Sequence, residues 1–222
     1  MKGIIILLLI IFAAALPAII IFFWFRKKKP EITLPWFLVS LAAGIISLLV
    51  AAFVQNIFQS FVKEIQNGFW PVFFGIFIRI ALVEETSRFL TLYPVIKTGM
   101  RSGKIDGSFA ASLGLAAGLG FALIESASYG MANINITLLR IFTAAPLHGA
   151  CGIRVGTAIF IIRKSPVKAA LYFITTVLIH GAYNLMIISP ALPSVLAVLI
   201  ALSAFFGSLH LLKDADGENE TI

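Results

Sequence analysis

Charge and cysteine are scarce in this sequence of 222 residues. Asp, Glu, Lys and Arg make up 12% of it, against about 25% in an average soluble domain. Cys151 is the only cysteine, which excludes an intramolecular disulfide and any Zn site built on paired cysteines. No HExxH run, phosphate-binding loop or Ser-His-Asp arrangement is evident, and there is no internal repeat or low-complexity tract. Only three histidines occur, His148, His180 and His210.

What is present is apolar. Hydrophobic residues make up 60% of the chain and the mean hydropathy is +1.02. One soluble core of this size could not hide so much apolar surface, so lipid is part of the solvent. A spanning helix needs about 20 mostly apolar residues. Seven segments qualify, near 3–25, 35–54, 69–93, 108–128, 136–162, 167–188 and 191–212. The expected fold is all-α, a polytopic transmembrane bundle of about seven spans over 1–212, with a polar tail at 213–222. The first run is too long for a signal-peptide core and reads as a retained anchor. The stretch 55–68 is weakly amphipathic and reads as interfacial.

The net charge of +7 does not indicate nucleic acid, because the basic residues cluster in short loops between apolar runs. Arg26 to Lys29, then Lys97, Arg101 and Lys104, then Arg163, Lys164, Lys168 and Lys213 fall on one side of seven alternating spans. Only Lys2 and Lys63 fall on the other. The positive-inside rule then places the N-terminus outside and the C-terminus in the cytoplasm, in a multi-pass protein of the cell membrane.

Seven ionisable residues break the apolar pattern within these spans: Arg79, Glu84, Glu85, Arg88, Glu125, Arg140 and Arg154. A charge at the bilayer centre costs at least about 2.5–3.5 kcal/mol, so such groups are functional candidates. Glu84 and Glu85 stand four and three residues before Arg88, so Arg88 can lie beside either. The two glutamates point about 100° apart, so one can pair while the other faces a cavity. Two carboxylates in low dielectric split their proton affinities, which suits acid/base chemistry. His180 and Asn184 share a helix face at i,i+4. Pro146 precedes His148 and is expected to kink that span. Gly152 and Gly156 continue the stripe of His148, and Ala110, Gly114, Gly118 and Ala122 form a small-residue stripe for close helix approach. At 1.5 Å per residue from the cytoplasmic span ends, Glu84 lies at about 15 Å, the two histidines at about 20 Å and Glu125 at about 25 Å. The groups can therefore meet near the midplane.

Plainer readings attach to several residues. A structural ion pair would account for Glu84, Glu85 and Arg88, and helix–helix hydrogen bonding for Asn184. Arg79 and Arg154 are expected to pair or snorkel, and Arg140, near a helix end, to snorkel. Glu125 could be hydrated near the outer interface. His210 and Cys151 read as structural.

The ordered motifs EETSR (Glu84 to Arg88), FALIE (Phe121 to Glu125), His148 and HGAYN (His180 to Asn184) resemble the PrsW family of intramembrane proteases. That family is grouped with CAAX prenyl proteases and bacteriocin-processing relatives. The resemblance covers about residues 80–188, within a core at 69–188. The family pattern has Lys where Arg88 stands; Arg keeps the charge and is a poorer base. The CAAX branch usually carries His where Glu125 stands.

The resemblance implies hydrolysis of peptide bonds in membrane-associated proteins or peptides. The expected catalytic set is Glu84, Glu85, Arg88, Glu125, His148, His180 and Asn184. Glu84 or Glu85 would activate water, and His180 and Asn184 would stabilise the oxyanion. His148 would orient water or protonate the leaving amine, and Arg88 would hold the glutamates. No cofactor is required by this scheme. In a metal variant Glu84, Glu125, His148 and His180 would bind Zn²⁺. Two other classes bury the same residue types. A proton-coupled transporter should show repeated halves, and a non-catalytic scaffold should lose a partner when the charges are removed.

Overall fold

The computed structural model describes residues 2–61, 69–103, 105–188 and 195–213, all helices and short connections. Lys63, Lys104, the stretch 62–68 and the tail from 214 lie outside the described residues. The elements are α1 (Lys2–Lys28), α2 (Leu34–Phe61), α3 (Phe69–Phe74), a π-helical segment (Gly75–Leu82), α4 (Val83–Arg101), α5 (Gly107–Gly130), α6 (Ile134–Phe142), α7 (Ala144–Ile161), α8 (Pro166–Ile188) and α9 (Val195–Ser208), closed by a 3₁₀ turn (Leu209–Leu212).

Six helices are long and apolar enough to cross a membrane. The third expected span, 69–93, is not among these six; it is a continuous helical run from Phe69 to Arg101 that carries Arg79, Glu84, Glu85 and Arg88. The fifth, 136–162, is not one helix. It breaks at Thr143 (φ −122°, ψ −68°) into α6 and α7. Pro146 then falls in the first turn of α7, where a missing N–H costs nothing. Leu147 N donates to Thr143 O at 3.2 Å to start that helix.

The bundle is organised around α5, which is buried along most of its length and packs on α1, α2 and α7. Lipid supplies no hydrophobic drive between helices, so close van der Waals contact must hold them. Small residues make that contact available. A Cβ on Gly114 would sit 2.1 Å from Gly152 O, and one on Gly156 would sit 2.3 Å from Ala110 O. On the α2 side, a Cβ on Gly44 would meet Ala117 O at 1.8 Å, and one on Gly120 would meet Leu41 O at 2.1 Å. The outer faces of α1, α2 and α8 present Ile, Leu, Val and Phe outward, as helices in lipid require.

Asp106 Oδ1 caps α5 by accepting from Phe109 N at 2.6 Å. The basic connections share one end of the bundle. Lys29 is buried there and donates to Ser108 Oγ, which donates to Leu212 O at 3.0 Å. Arg154, expected to pair or snorkel, donates to Ser208 Oγ at 3.0 Å and Thr175 Oγ1 at 3.4 Å. His210 holds its own helix end through Gly207 O. Cys151 is buried, its sulfur 4.0 Å from Thr176 O.

Candidate active site

The π-helical segment ends at Leu82, two residues before Glu84, so the EETSR run lies in the first turns of α4 with both carboxylates buried. Such segments are rare and concentrate at functional sites. Within α4 the two glutamates separate as their 100° offset requires. Glu85 turns inward, pairs with Arg88, and accepts from His180 Nδ1 at 2.7 Å. Glu84 turns toward α2 and α8, where Oε1 accepts from Gln55 Nε2 at 3.1 Å. Its Oε2 is buried without a hydrogen-bond partner and lies 3.5 Å from His180 Nε2.

Arg88 is fully buried. One guanidinium nitrogen bonds Glu85 and another lies 3.1 Å from His148 Nδ1. Its planar group also covers the Phe121 ring, 4.6 Å from the centroid. Guanidinium only donates, so His148 Nδ1 accepts and Nε2 keeps the proton. That Nε2 donates to Glu125 Oε2 at 2.7 Å. Arg140 also binds Glu125 and donates to Ser126 Oγ at 3.2 Å, with the Tyr129 ring 4.5 Å away. Arg140 therefore does not snorkel. The break at Thr143 lets α6 fold back against α5 and aim Arg140 at a carboxylate. Glu125 is 20% exposed and held by two cations or donors, so it is not merely hydrated.

These contacts form one chain: Arg140, Glu125, His148, Arg88, Glu85, His180, Glu84, Gln55. Six helices contribute to it. The rings of His148 and His180 lie 5.0 Å apart at 89°. Six of the seven residues expected from sequence thus meet. Asn184, the seventh, is half-buried one turn beyond His180 on α8, and its side chain makes no hydrogen bond among the described residues. Sequence reasoning missed Gln55, because the second span seemed to end at 54, and it misread Arg140. A polar side chain within α2, at a helical position facing α4, was the available signal for Gln55.

The position of His148 is set by backbone contact. A Cβ on Gly118 would lie 2.0 Å from His148 O, so only glycine lets α7 seat there against α5.

A family model for the PrsW family intramembrane metalloprotease matches residues 33–208, most of the chain. The chain belongs to the PrsW family. No curated protein and no solved structure matches it. As a PrsW protein it is an intramembrane protease, embedded in lipid and acting on membrane proteins.

The PrsW family is described as one of metalloproteases, and one buried group here could hold an ion. Glu85, His148 and His180 offer ligand atoms within 4.8 Å of one another. Glu84 Oε2 is the orphaned oxygen, and a neutral His180 that donates its Nδ1–H to Glu85 turns its Nε2 lone pair toward it. A carboxylate on the far nitrogen of a histidine is the usual support for a metal ligand. Three carboxylates face two guanidiniums in the chain, a net charge of −1 with neutral histidines, which favours a bound cation or proton.

Proposed function

We propose that this protease cleaves its substrates with a water activated at Glu84, and that Glu85 is a positioning residue. The observation that carries the division is the unpartnered Glu84 Oε2 facing His180 Nε2, beside a Glu85 already committed to Arg88 and His180. A base needs an open lone pair within reach of the water proton, and Glu84 has it.

In this reading Glu84 Oε2 takes a proton from water as the oxygen attacks the scissile carbonyl. In the metal-free form Asn184 and a His180 protonated on both ring nitrogens donate to the oxyanion that forms. The proton that Glu84 takes from the water passes to the leaving amine, and His148, aligned by Arg88 and Glu125, orients the water. Arg88 holds Glu85 and His148 in place, and Phe121 packs on both Arg88 and His148. Glu84 and His180 would hold a Zn²⁺ ion, with His148 and Glu125 beside them. Bound there, the ion would polarise the carbonyl and lower the pKa of its water. The same proposal places the protein in the cell membrane with its basic end cytoplasmic, and makes it kin to the CAAX proteases.

The test is cleavage of a genuine membrane-anchored substrate by the purified full chain. Glu84→Ala, Glu85→Ala and His180→Ala should each abolish the product; thermal unfolding should stay close to wild type for Glu84→Ala and His180→Ala and fall for Glu85→Ala, which leaves Arg88 buried and unpaired. Full activity in all three would refute the assignment. Elemental analysis with chelator titration separates the metal form: stoichiometric zinc, with activity lost on chelation, supports it, and full activity in metal-free protein overturns it.

A further inference from the structure

A cavity of about 560 Å³ opens beside the polar chain, lined by Gln55 and Asn56 of α2, Gly75 and Arg79 of the π-helical segment, and Ile188 of α8. Arg79 was expected to pair or snorkel. It does not pair among the described residues: its Nε is buried without a partner, and no carboxylate meets its guanidinium. Unlike Arg88 and Arg140, it is a cation held in an apolar helix with no anion. Arg79, Gly75 and the neighbouring Ile76 and Ile80 line the cavity together, so the π-helical turn presents one face to it.

Gln55 joins this cavity to the chemistry. The same side chain lines the wall and donates to Glu84 Oε1. An occupant of the cavity therefore lies one side chain from the proposed base. Two amides and a guanidinium are the donors that bind a peptide strand and one of its carboxylates, because the guanidinium fork matches a carboxylate with two parallel hydrogen bonds.

We propose that this cavity binds the substrate next to the cut, and that Arg79 receives a carboxylate of the peptide, an acidic side chain or chain terminus. Arg79 and Glu84 are five residues apart, about 7 Å along the helix, so the acid lies about two residues from the scissile bond. The proposal rests on the protease reading above, for it assigns substrate to the same site. The peptide is preferred to a lipid phosphate because Gln55 ties the cavity to Glu84.

The experiment uses the full chain in nanodiscs of neutral lipid and a library of single-span peptides. One juxtamembrane position at a time is Asp, Asn or Lys. Bound and cleaved peptides are counted separately by mass spectrometry. Wild type should enrich Asp over Asn at least about tenfold at one position. Arg79→Gln should bring that ratio to about one, and Arg79→Glu should favour Lys there. Equal recovery of Asp and Asn by wild type, or a preference that survives Arg79→Gln, overturns the proposal. So does a result in which Arg79→Gln alters only the binding of anionic lipid added to the discs. Binding is also read in the Glu84→Ala chain. A preference there with no cleavage by wild type would sink the protease reading and leave this site standing. Cleavage without preference would do the reverse.

Discussion

The two ends of the polar chain are built differently. At the α5–α6 end Glu125 is satisfied by Arg140 and by His148, and Arg140 is further held by Ser126. At the α2–α8 end Glu84 keeps one oxygen without a partner beside a histidine nitrogen and a cavity. The closed end spends its groups on each other and fixes geometry. The open end leaves a lone pair for something that is not protein. Structure and chemistry are thus separated along one continuous array, and substitutions at the two ends should fail differently.

The largest expected effect breaks the open end. Glu84→Gln keeps the Gln55 contact and the volume but removes the base, so kcat should fall about 10²–10⁴-fold with an unchanged unfolding temperature. Glu85→Gln should match it in kcat but also lower the unfolding temperature, because Arg88 would be left buried and unpaired. Next comes the seam that carries His148. Gly118→Leu drives a side chain into the His148 carbonyl and should cost about 1–3 kcal/mol or more in detergent unfolding, with activity lost as well. At the closed end, Arg140→Ala should cost about 2 kcal/mol, below the usual 3–5 for a buried pair because Glu125 is 20% exposed and keeps His148. Its kcat should fall by less than that of Glu84→Gln, and equal losses would erase the distinction between the ends. The smallest effect is expected of Gln55→Ala, roughly a tenfold loss of kcat/KM through one hydrogen bond to a charged group, with stability unchanged.

Much of this was legible because charge in lipid is conspicuous. Glu84, Glu85, Arg88 and Glu125 stand out against apolar runs, and the only reason to keep them is a shared interior. The small-residue stripe of α5 was readable for a similar reason, since glycine and alanine at i,i+4 imply a close neighbour. The readings failed where cost is low or local. Gln55 is uncharged, so it raised no alarm and was assigned to an interfacial stretch. Arg140 looked like a snorkelling end because its partner sits on another helix. Pro146 drew the expected kink to itself, whereas the chain breaks at Thr143 and uses the proline in the following first turn, where it is harmless. The π-helical turn at Gly75–Leu82 has no sequence marker at all.

That turn fixes a phase relation. Its hydrogen bonds reach five residues instead of four, so the chain carries an extra residue there. Removing one residue between Ile80 and Leu82 would shorten the step from Arg79 to Glu84 from five residues to four and turn Arg79 by about 100° relative to the glutamates. Arg79 and Glu84 would then look in different directions. The spacing between these two positions is therefore as much a part of the enzyme as either side chain, and a length change in this stretch should be tolerated less well than most substitutions within it.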